Sequence, residues 1–162
     1  MTKTYLWMAL LSILPISELR GAIPYGYFND IPLYQCFFIS VLANVLVAPI
    51  GFFFLNTLHR ILDKWGFYHR IFEKTVARAR SKVEEKISKY GLLGLMFFVA
   101  IPLPVTGAWT GTLGAWVLGL DRKKSILSIA CGVLIAGIIV TAVVYTGAGI
   151  GKLFTKQINI QI

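Results

Sequence analysis

Four apolar blocks divide the sequence, at about residues 5–28, 33–58, 90–120 and 125–150. The second and fourth blocks carry no internal charge, and each exceeds the roughly 20 apolar residues that a helix needs to cross a bilayer. Hydrophobic residues make up 57% of the chain and charged residues 14%, which leaves too few polar side chains to cover a soluble domain. The sequence therefore predicts an all-α, polytopic membrane protein.

The first and third blocks are interrupted near their centres. The first contains Pro15 and the charged run ELRG at residues 18–21, and the third contains IPLPVTGAWTG at residues 101–111. Proline and glycine disfavour one continuous helix at such positions. Each block therefore divides into two short apolar arms around a break. This pattern predicts a re-entrant hairpin, which enters the bilayer and leaves on the side from which it came.

The distribution of basic residues favours a re-entrant third block. Nine of the sixteen Lys and Arg residues lie in the segment 59–89, and three more form the cluster Arg122–Lys124. If all four blocks crossed the membrane, these clusters would lie on opposite sides, against the positive-inside bias. A re-entrant third block puts both in the cytoplasm. We therefore predict a multi-pass cell-membrane protein, with the first block re-entrant by analogy and segment 59–89 cytoplasmic.

The second half of the sequence aligns with the first at an offset of 89 residues. LPIS at Leu14–Ser17 recurs as LPVT at Leu103–Thr106, and the same offset lays the second block on the fourth. Hairpin then pairs with hairpin and span with span, which is the pattern of an inverted repeat with a site near the midplane. The predicted units are a first repeat (1–58), a basic segment (59–89), a second repeat (90–150) and a tail (151–162).

The basic segment has the periodicity of an amphipathic helix. Apolar residues recur at spacings of three or four, and cations recur every four residues. Such a helix suits the surface of an anionic leaflet, and a solvated helical linker is the alternative. The predicted membrane-surface residues are Arg70, Lys74, Arg78, Lys82 and Lys86.

Glu18 and Arg20 are the only charged residues inside any apolar block. Charges at such positions are costly and mark substrate or proton paths. Gly21 and Pro24 indicate that the chain around them is not a regular helix. Three interpretations stay open: Glu18 accepts a proton while Arg20 binds an anion such as phosphate, the two form a static ion pair, or the loop is interfacial and hydrated. Glu18 and Arg20 are expected to pair with each other, to face a water-filled cavity or to contact the other hairpin.

Three further polar side chains stand out in the apolar blocks. Asn44, alone in the second block, is predicted to hydrogen-bond a hairpin tip or to make a structural contact between helices. Trp109 and Trp116 are predicted either to face the substrate or to anchor the chain at the membrane interface, which is the commoner use of tryptophan.

The sequence shows no constellation that indicates an enzyme. Cys36 and Cys131 lie in apolar runs without metal-ligand spacing, and no nucleophile–base or metal cluster is apparent. We therefore expect no enzymatic activity, no cofactor and no metal. The basic clusters border long apolar runs, which indicates membrane topology rather than nucleic-acid binding.

SELRGAIPYG followed by a span, and IPLPVTGAWTGTLGAWVLGLDRKKS followed by a second span, resemble the small multidrug export protein family over residues 10–150. That family is a distant relative of the DedA and SNARE-associated Golgi (VTT-type) membrane proteins. The resemblance implies opposed re-entrant hairpins and a role in moving lipids, including polyprenyl phosphates, or in proton-dependent drug tolerance. It also implies that the first-loop residues are Glu18, Arg20 and Pro24 and the second-loop residues Pro104, Thr106 and Gly107. Unlike the wider DedA pattern, the second loop here has no arginine.

These observations together predict an integral membrane transporter or lipid flippase. Its expected substrate is amphiphilic and anionic, resembling a lipid phosphate, with proton coupling through Glu18. The alternatives are export of small cationic drugs and a membrane scaffold that transports nothing. The expected partners are membrane lipids and further copies of the chain, because two spans enclose little volume.

Overall fold

The computed structural model describes residues 2–57, 74, 76–77, 90–103 and 106–158, with side chains as far as residue 147. Within these ranges all regular structure is helical and no strand occurs, so the predicted all-α fold is confirmed. In chain order the helices are α1 (Thr2–Ile13), α2 (Glu18–Phe28), α3 (Leu33–Val45), α4 (Val47–Thr57), α5 (Tyr90–Ala100), α6 (Ala108–Val117) and α7 (Arg122–Ile158).

Two helical stretches are long and apolar enough to cross a membrane. One is Leu33–Thr57, 25 residues built from α3 and α4, and the other is Arg122–Gly147, 26 residues of α7. They correspond to the two predicted spans, although α7 begins at the basic cluster and continues through most of the predicted tail. Pro49 explains the interruption between α3 and α4, because it has no amide hydrogen to donate to the Val45 carbonyl.

The outer faces of both stretches are apolar. A water-exposed helix would carry polar residues on such a face, so these faces fit a hydrocarbon environment and support a membrane protein. The exposed side chains include Tyr34, Phe38, Leu42, Leu46 and Phe53 on α3–α4, and Leu127, Leu134 and Ile138 on α7.

The first and third apolar blocks each form two short helices that pack together. α1 packs along α2, and Gly111 of α6 lies against Val99 and Leu95 of α5. The breaks fall at residues 14–17 and, among the described residues, at 101–103 and 106–107. We call these helix pairs the first and second hairpins.

The prediction that the chain around Glu18 is not a regular helix is wrong in one respect. Residues 18–21 form the first turn of α2, which runs through Gly21 and Pro24 to Phe28. Pro24 removes only the intrahelical bond to the Arg20 carbonyl. The change in direction is made earlier, at residues 14–17 and at Glu18 itself, whose φ is +48°.

The two halves of the fold share the spacing of their elements. α3 and α7 begin 89 residues apart. The turns that precede them contain the same hydrogen bond, from Ile31 N to Gly26 O and from Leu120 N to Ala115 O, both at 3.0 Å. This bond defines a Schellman motif at the end of a helix. The 89-residue offset found in the sequence therefore also relates these two backbone hydrogen bonds.

α7 lies close to α5 because residue 132 has no side chain. A Cβ at Gly132 would lie 2.7 Å from the Met96 carbonyl oxygen and 2.8 Å from Val99 Cβ. Gly147, farther along the same helix, has open space around it. Small residues at helix crossings let backbones approach closely in membrane proteins.

Replacing Gly132 by alanine should therefore lower the thermal stability of the purified protein in detergent. The matched variant Gly147→Ala should be as stable as the wild type or slightly more stable, because alanine exceeds glycine in helix propensity by about 1 kcal/mol. Thermal unfolding of both variants measures the difference. Equal stability of the two would show that α5 and α7 do not depend on this close approach.

Candidate functional site

The breaks of the two hairpins lie against each other, and the contact between them contains both charges of the first apolar block. Charged side chains from the start of α2 bind backbone groups in the second break. We call this contact the hairpin junction, and it consists of Glu18, Arg20, Leu103, Thr106, Gly107, Ala108 and Trp109.

Glu18 binds the amino end of a helix that belongs to the other hairpin. It is only 6% exposed, and its carboxylate accepts hydrogen bonds from the amides of Ala108 at 3.4 Å and Trp109 at 3.3 Å. The first amides of a helix have no intrahelical acceptor and carry partial positive charge. Glu18 therefore caps α6 across the junction.

Gly107 makes room for this carboxylate. A Cβ at residue 107 would lie 2.7 Å from the Glu18 Cδ, closer than side-chain atoms approach. The φ of Gly107 is +152°, a conformation that favours glycine. Residue 107 corresponds to residue 18 at the offset of 89, so two corresponding positions with positive φ meet at one contact.

Arg20 binds the acceptors of the same loop. Its guanidinium donates to the carbonyl oxygens of Leu103 and Thr106, and to Thr106 Oγ1 at 3.2 Å. These carbonyls lie between α5 and α6, outside either helix. Arg20 is half-buried, so one side of it is accessible. Its Nε is buried and has no partner among the residues described.

Trp109 makes the reciprocal contact. Its indole Nε1 donates at 2.6 Å to the carbonyl of Ile13, the last residue of α1. Trp109 corresponds to Arg20 at the offset of 89, so corresponding residues each donate to a backbone carbonyl of the other hairpin, at its break or directly before it. Trp109 is half-buried, and both roles predicted for it, interfacial anchor and substrate-facing residue, stay predictions. The alignment at the offset of 89 pairs Trp109 with Arg20, but the bond to Ile13 depends on how the helices pack, which the sequence does not specify.

Asn44 approaches the junction from α3. It is fully buried, its Nδ2 donates to the Ser12 carbonyl at 2.7 Å, and its side chain lies beside the Glu18 carboxyl. The acceptor lies in α1 and not in the tip at residues 14–17, so this bond is the interhelical contact, one of the two alternatives predicted for Asn44. It joins the first span to α1 immediately before the break.

The remaining predicted site residues lie elsewhere. Pro24 is half-buried within α2, six residues past Glu18, and takes no part in the junction hydrogen bonds. Lys74 is helical and exposed. The second-loop residue Pro104 lies outside the described residues. So do the four remaining membrane-surface residues, Arg70, Arg78, Lys82 and Lys86, and the amphipathic basic helix therefore stays a prediction.

The contacts of the junction differ from two of the interpretations left open by the sequence, the static pair of Glu18 with Arg20 and the hydrated interfacial loop. Glu18 and Arg20 attract each other electrostatically, but their hydrogen-bond partners belong to the second hairpin. Burial of Glu18 does not fit a hydrated loop. Chemically, the junction offers an accessible guanidinium that can bind an anion and a carboxyl group that can exchange a proton. The described part of the chain contains no cluster of three His, Cys, Asp or Glu side chains that would suit a metal.

These contacts predict the outcome of exchanging the two charges. In the double variant Glu18→Arg/Arg20→Glu, a cation would face the Ala108 and Trp109 amides and an anion would face carbonyl oxygens. Breaking a buried charged contact typically costs about 3–5 kcal/mol, so the double variant should be no more stable than Glu18→Arg or Arg20→Glu alone. Thermal unfolding in detergent measures this. A double variant that regains wild-type stability would instead support a simple ion pair.

The comparisons with known proteins agree with a membrane transport family. No curated protein matches the chain, and no solved structure matches it. One family model, described as "Putative small multi-drug export protein", matches residues 18–139. The match begins at Glu18, ends within α7 and contains both charged residues of the junction. It covers well over half of the chain, which therefore belongs to this small multi-drug export protein family.

Proposed function

We propose that the protein moves an anionic, lipid-type molecule across the membrane at the hairpin junction, with Glu18 as a proton acceptor. The observation that carries this proposal is the position of Glu18 and Arg20 between the breaks of two apolar hairpins. Ionisable residues within membrane segments are expensive and usually serve transport or proton transfer. The family description, which names export, supports a transport function in general terms.

In this proposal both hairpins are re-entrant. Their tips are apolar and exposed: Leu14 is 50% exposed, Ile16 99% and Leu103 56%. Turns that face water are normally rich in polar residues and glycine, so these tips fit the hydrocarbon interior better than the aqueous phase.

The proposal also makes the two halves an inverted repeat. The shared 89-residue spacing of the helices and turns supports a duplication. In transporters built from inverted repeats, substrate sites lie near the midplane, where broken helices meet. The hairpin junction is such a meeting of broken helices. A distant relation to the DedA and VTT-type families belongs to the same proposal.

Arg20 binds the anionic headgroup. Its present partners include the neutral carbonyl oxygens of Leu103 and Thr106. The guanidinium charge already strengthens these bonds, but a phosphate also carries negative charge and can accept two parallel bonds, so it attracts Arg20 more strongly than neutral carbonyls do. The headgroup therefore replaces the two carbonyls and releases the second break, while the acyl chains stay against the apolar outer faces of the helices.

Glu18 links this release to protonation. As a carboxylate it is held at the amino end of α6 by two amides and by the partial positive charge of the helix. A bound proton removes that charge and weakens the hold. With both contacts loosened, the two hairpins separate and the site is accessible from the other side of the membrane.

The rest of the chain has supporting roles in this proposal. The protein lies in the cell membrane, and its basic segment 59–89 rests on the anionic cytoplasmic leaflet. The chain acts as a homo-oligomer, because two spans enclose too little volume for an amphiphilic substrate.

A second candidate is export of small cationic compounds, which the family description favours. In that function Glu18 would bind the cation, and the neighbouring Arg20 would oppose it. A scaffold that transports nothing is the remaining alternative, and the transport experiment below separates the three.

The topology can be tested by cysteine labelling in the background Cys131→Ser. Cysteines at Lys74 and Lys123, both exposed, should react with an impermeant reagent from the cytoplasmic side. A cysteine at Asn29, also exposed, should react from the opposite side. Labelling of Lys74→Cys and Lys123→Cys from opposite sides would mean that the second hairpin spans the bilayer.

Transport can be tested in liposomes with fluorescent anionic lipids, zwitterionic lipids and a cationic dye. The wild type should move the anionic lipid, and Glu18→Gln should abolish the pH dependence because it cannot titrate. Arg20→Lys should slow transport because lysine lacks the planar donor fork. Lys124→Gln, at an exposed cation, is the matched control and should behave as the wild type does.

Other outcomes of this experiment identify the alternatives. Movement of the dye without the lipid would favour cation export. If folded wild-type protein moved neither probe, the scaffold would be supported and the transport proposal would fail.

A further inference from the structure

α3 carries two buried oxygen atoms without hydrogen-bond partners. Ser40 and Asn44 are both 0% exposed, and within the described part of the chain neither Ser40 Oγ nor Asn44 Oδ1 has a partner. Residues four apart lie on the same face of a helix, one turn from each other. Buried polar atoms are almost always paired, so two unpaired oxygens on one face call for an explanation.

Two other buried hydroxyl groups in the fold are satisfied within their own helix. Ser12 and Thr112 each donate to the carbonyl four residues earlier, at 2.9 Å and 2.6 Å. Ser40 makes no such bond. Ser125 and Thr141 of α7 also have unpaired hydroxyl oxygens, but neither has a second unpaired oxygen one turn away.

The orientation of the Asn44 amide follows from its partner. Only the amide nitrogen can donate to the Ser12 carbonyl, at 2.7 Å. Asn44 Oδ1 is therefore an acceptor that still needs a donor. A water molecule can donate to this oxygen and also bond the Ser40 hydroxyl. Buried waters typically make about two to four such bonds, whereas a hard cation such as Ca²⁺ takes six or more oxygen ligands.

We propose that Ser40 and Asn44 bind water, and that this water is the last stage of an aqueous path to the hairpin junction. The Asn44 side chain also lies beside the Glu18 carboxyl, so the path ends next to Glu18. This inference rests on the proposed function, in which Glu18 exchanges protons and therefore needs contact with water.

The path approaches from the end of α3 that begins at Leu33. Toward that end α1 and α3 share polar groups: Tyr5 Oη donates to Gln35 Oε1 at 2.5 Å, and Gln35 Nε2 donates to Tyr34 Oη at 3.0 Å. In the opposite direction the buried residues of α4 are apolar or glycine. Polar groups thus occur at the start of α3 and again at Ser40 and Asn44, with the buried Cys36 one turn before Ser40, and they do not continue along α4.

Cysteine accessibility tests this path in the full-length protein in liposomes. In the background Cys36→Ala/Cys131→Ala, the variant Ser40→Cys is treated with a small methanethiosulfonate reagent. The control Ile129→Cys occupies the corresponding buried position of α7, which is also 0% exposed. Val41→Cys is a second control, because Val41 faces Gly137 of α7.

Because the reactive thiolate requires water, Ser40→Cys should react about tenfold or more faster than either control. The reaction should occur from the side of the membrane that carries Asn29. Serine and cysteine have the same shape, and size-exclusion elution together with thermal unfolding checks that the variant folds. Equal rates for the three positions, or labelling only from the side that carries Lys123, would overturn the water path.

This test separates the inference from the proposed function. If Ser40→Cys reacts but the wild type transports neither lipid nor dye, the water site stands and the transport proposal fails. If the wild type transports lipid but Ser40→Cys is as unreactive as Ile129→Cys, the transport proposal stands and the water path fails.

Discussion

Broken helices in an apolar environment leave backbone amides and carbonyls without partners, and the arrangement of this fold depends on how those groups are satisfied. Water supplies such partners at the surface of a soluble protein, but the hydrocarbon core of a bilayer does not. Here each hairpin supplies them to the other. Glu18 and Arg20 bind the amides and carbonyls of the second break, and Trp109 binds the last carbonyl of α1. Contacts between the hairpins thus satisfy backbone groups at the second break and directly before the first.

Corresponding positions of the two halves take part in the same contact between the hairpins but carry different chemical groups. Residues 18 and 107 both have positive φ, yet one is a carboxylate and the other is the glycine that makes room for it. Arg20 and Trp109 both donate to backbone carbonyls of the opposite hairpin, one through a guanidinium and the other through an indole. The half that carries the ion-binding groups is therefore the first, and the second supplies mainly backbone. In the proposed function, a charged ligand would therefore bind on the side of the first hairpin.

The same contacts suit a structural and a transport role. A guanidinium held by neutral carbonyls, together with a carboxylate held by amides at 3.3–3.4 Å, closes the junction through bonds that a stronger anion or a proton can replace. A tightly packed apolar contact would close it as well, but no ligand could then compete for it. In the proposed mechanism, transport requires both that the hairpins hold together and that a polar ligand can release them.

The sequence alone determined the features that depend on local composition. Uncharged apolar runs of sufficient length predict the two spans, and Pro15 and the stretch 101–111 predict the two breaks, because these preferences act within one or two helical turns. Only the tertiary structure decided that Glu18 caps α6, that Trp109 reaches Ile13 and that Asn44 joins the first span to the first break. These contacts connect residues 32 to 96 positions apart, and such pairings depend on how the helices pack, which local composition does not specify.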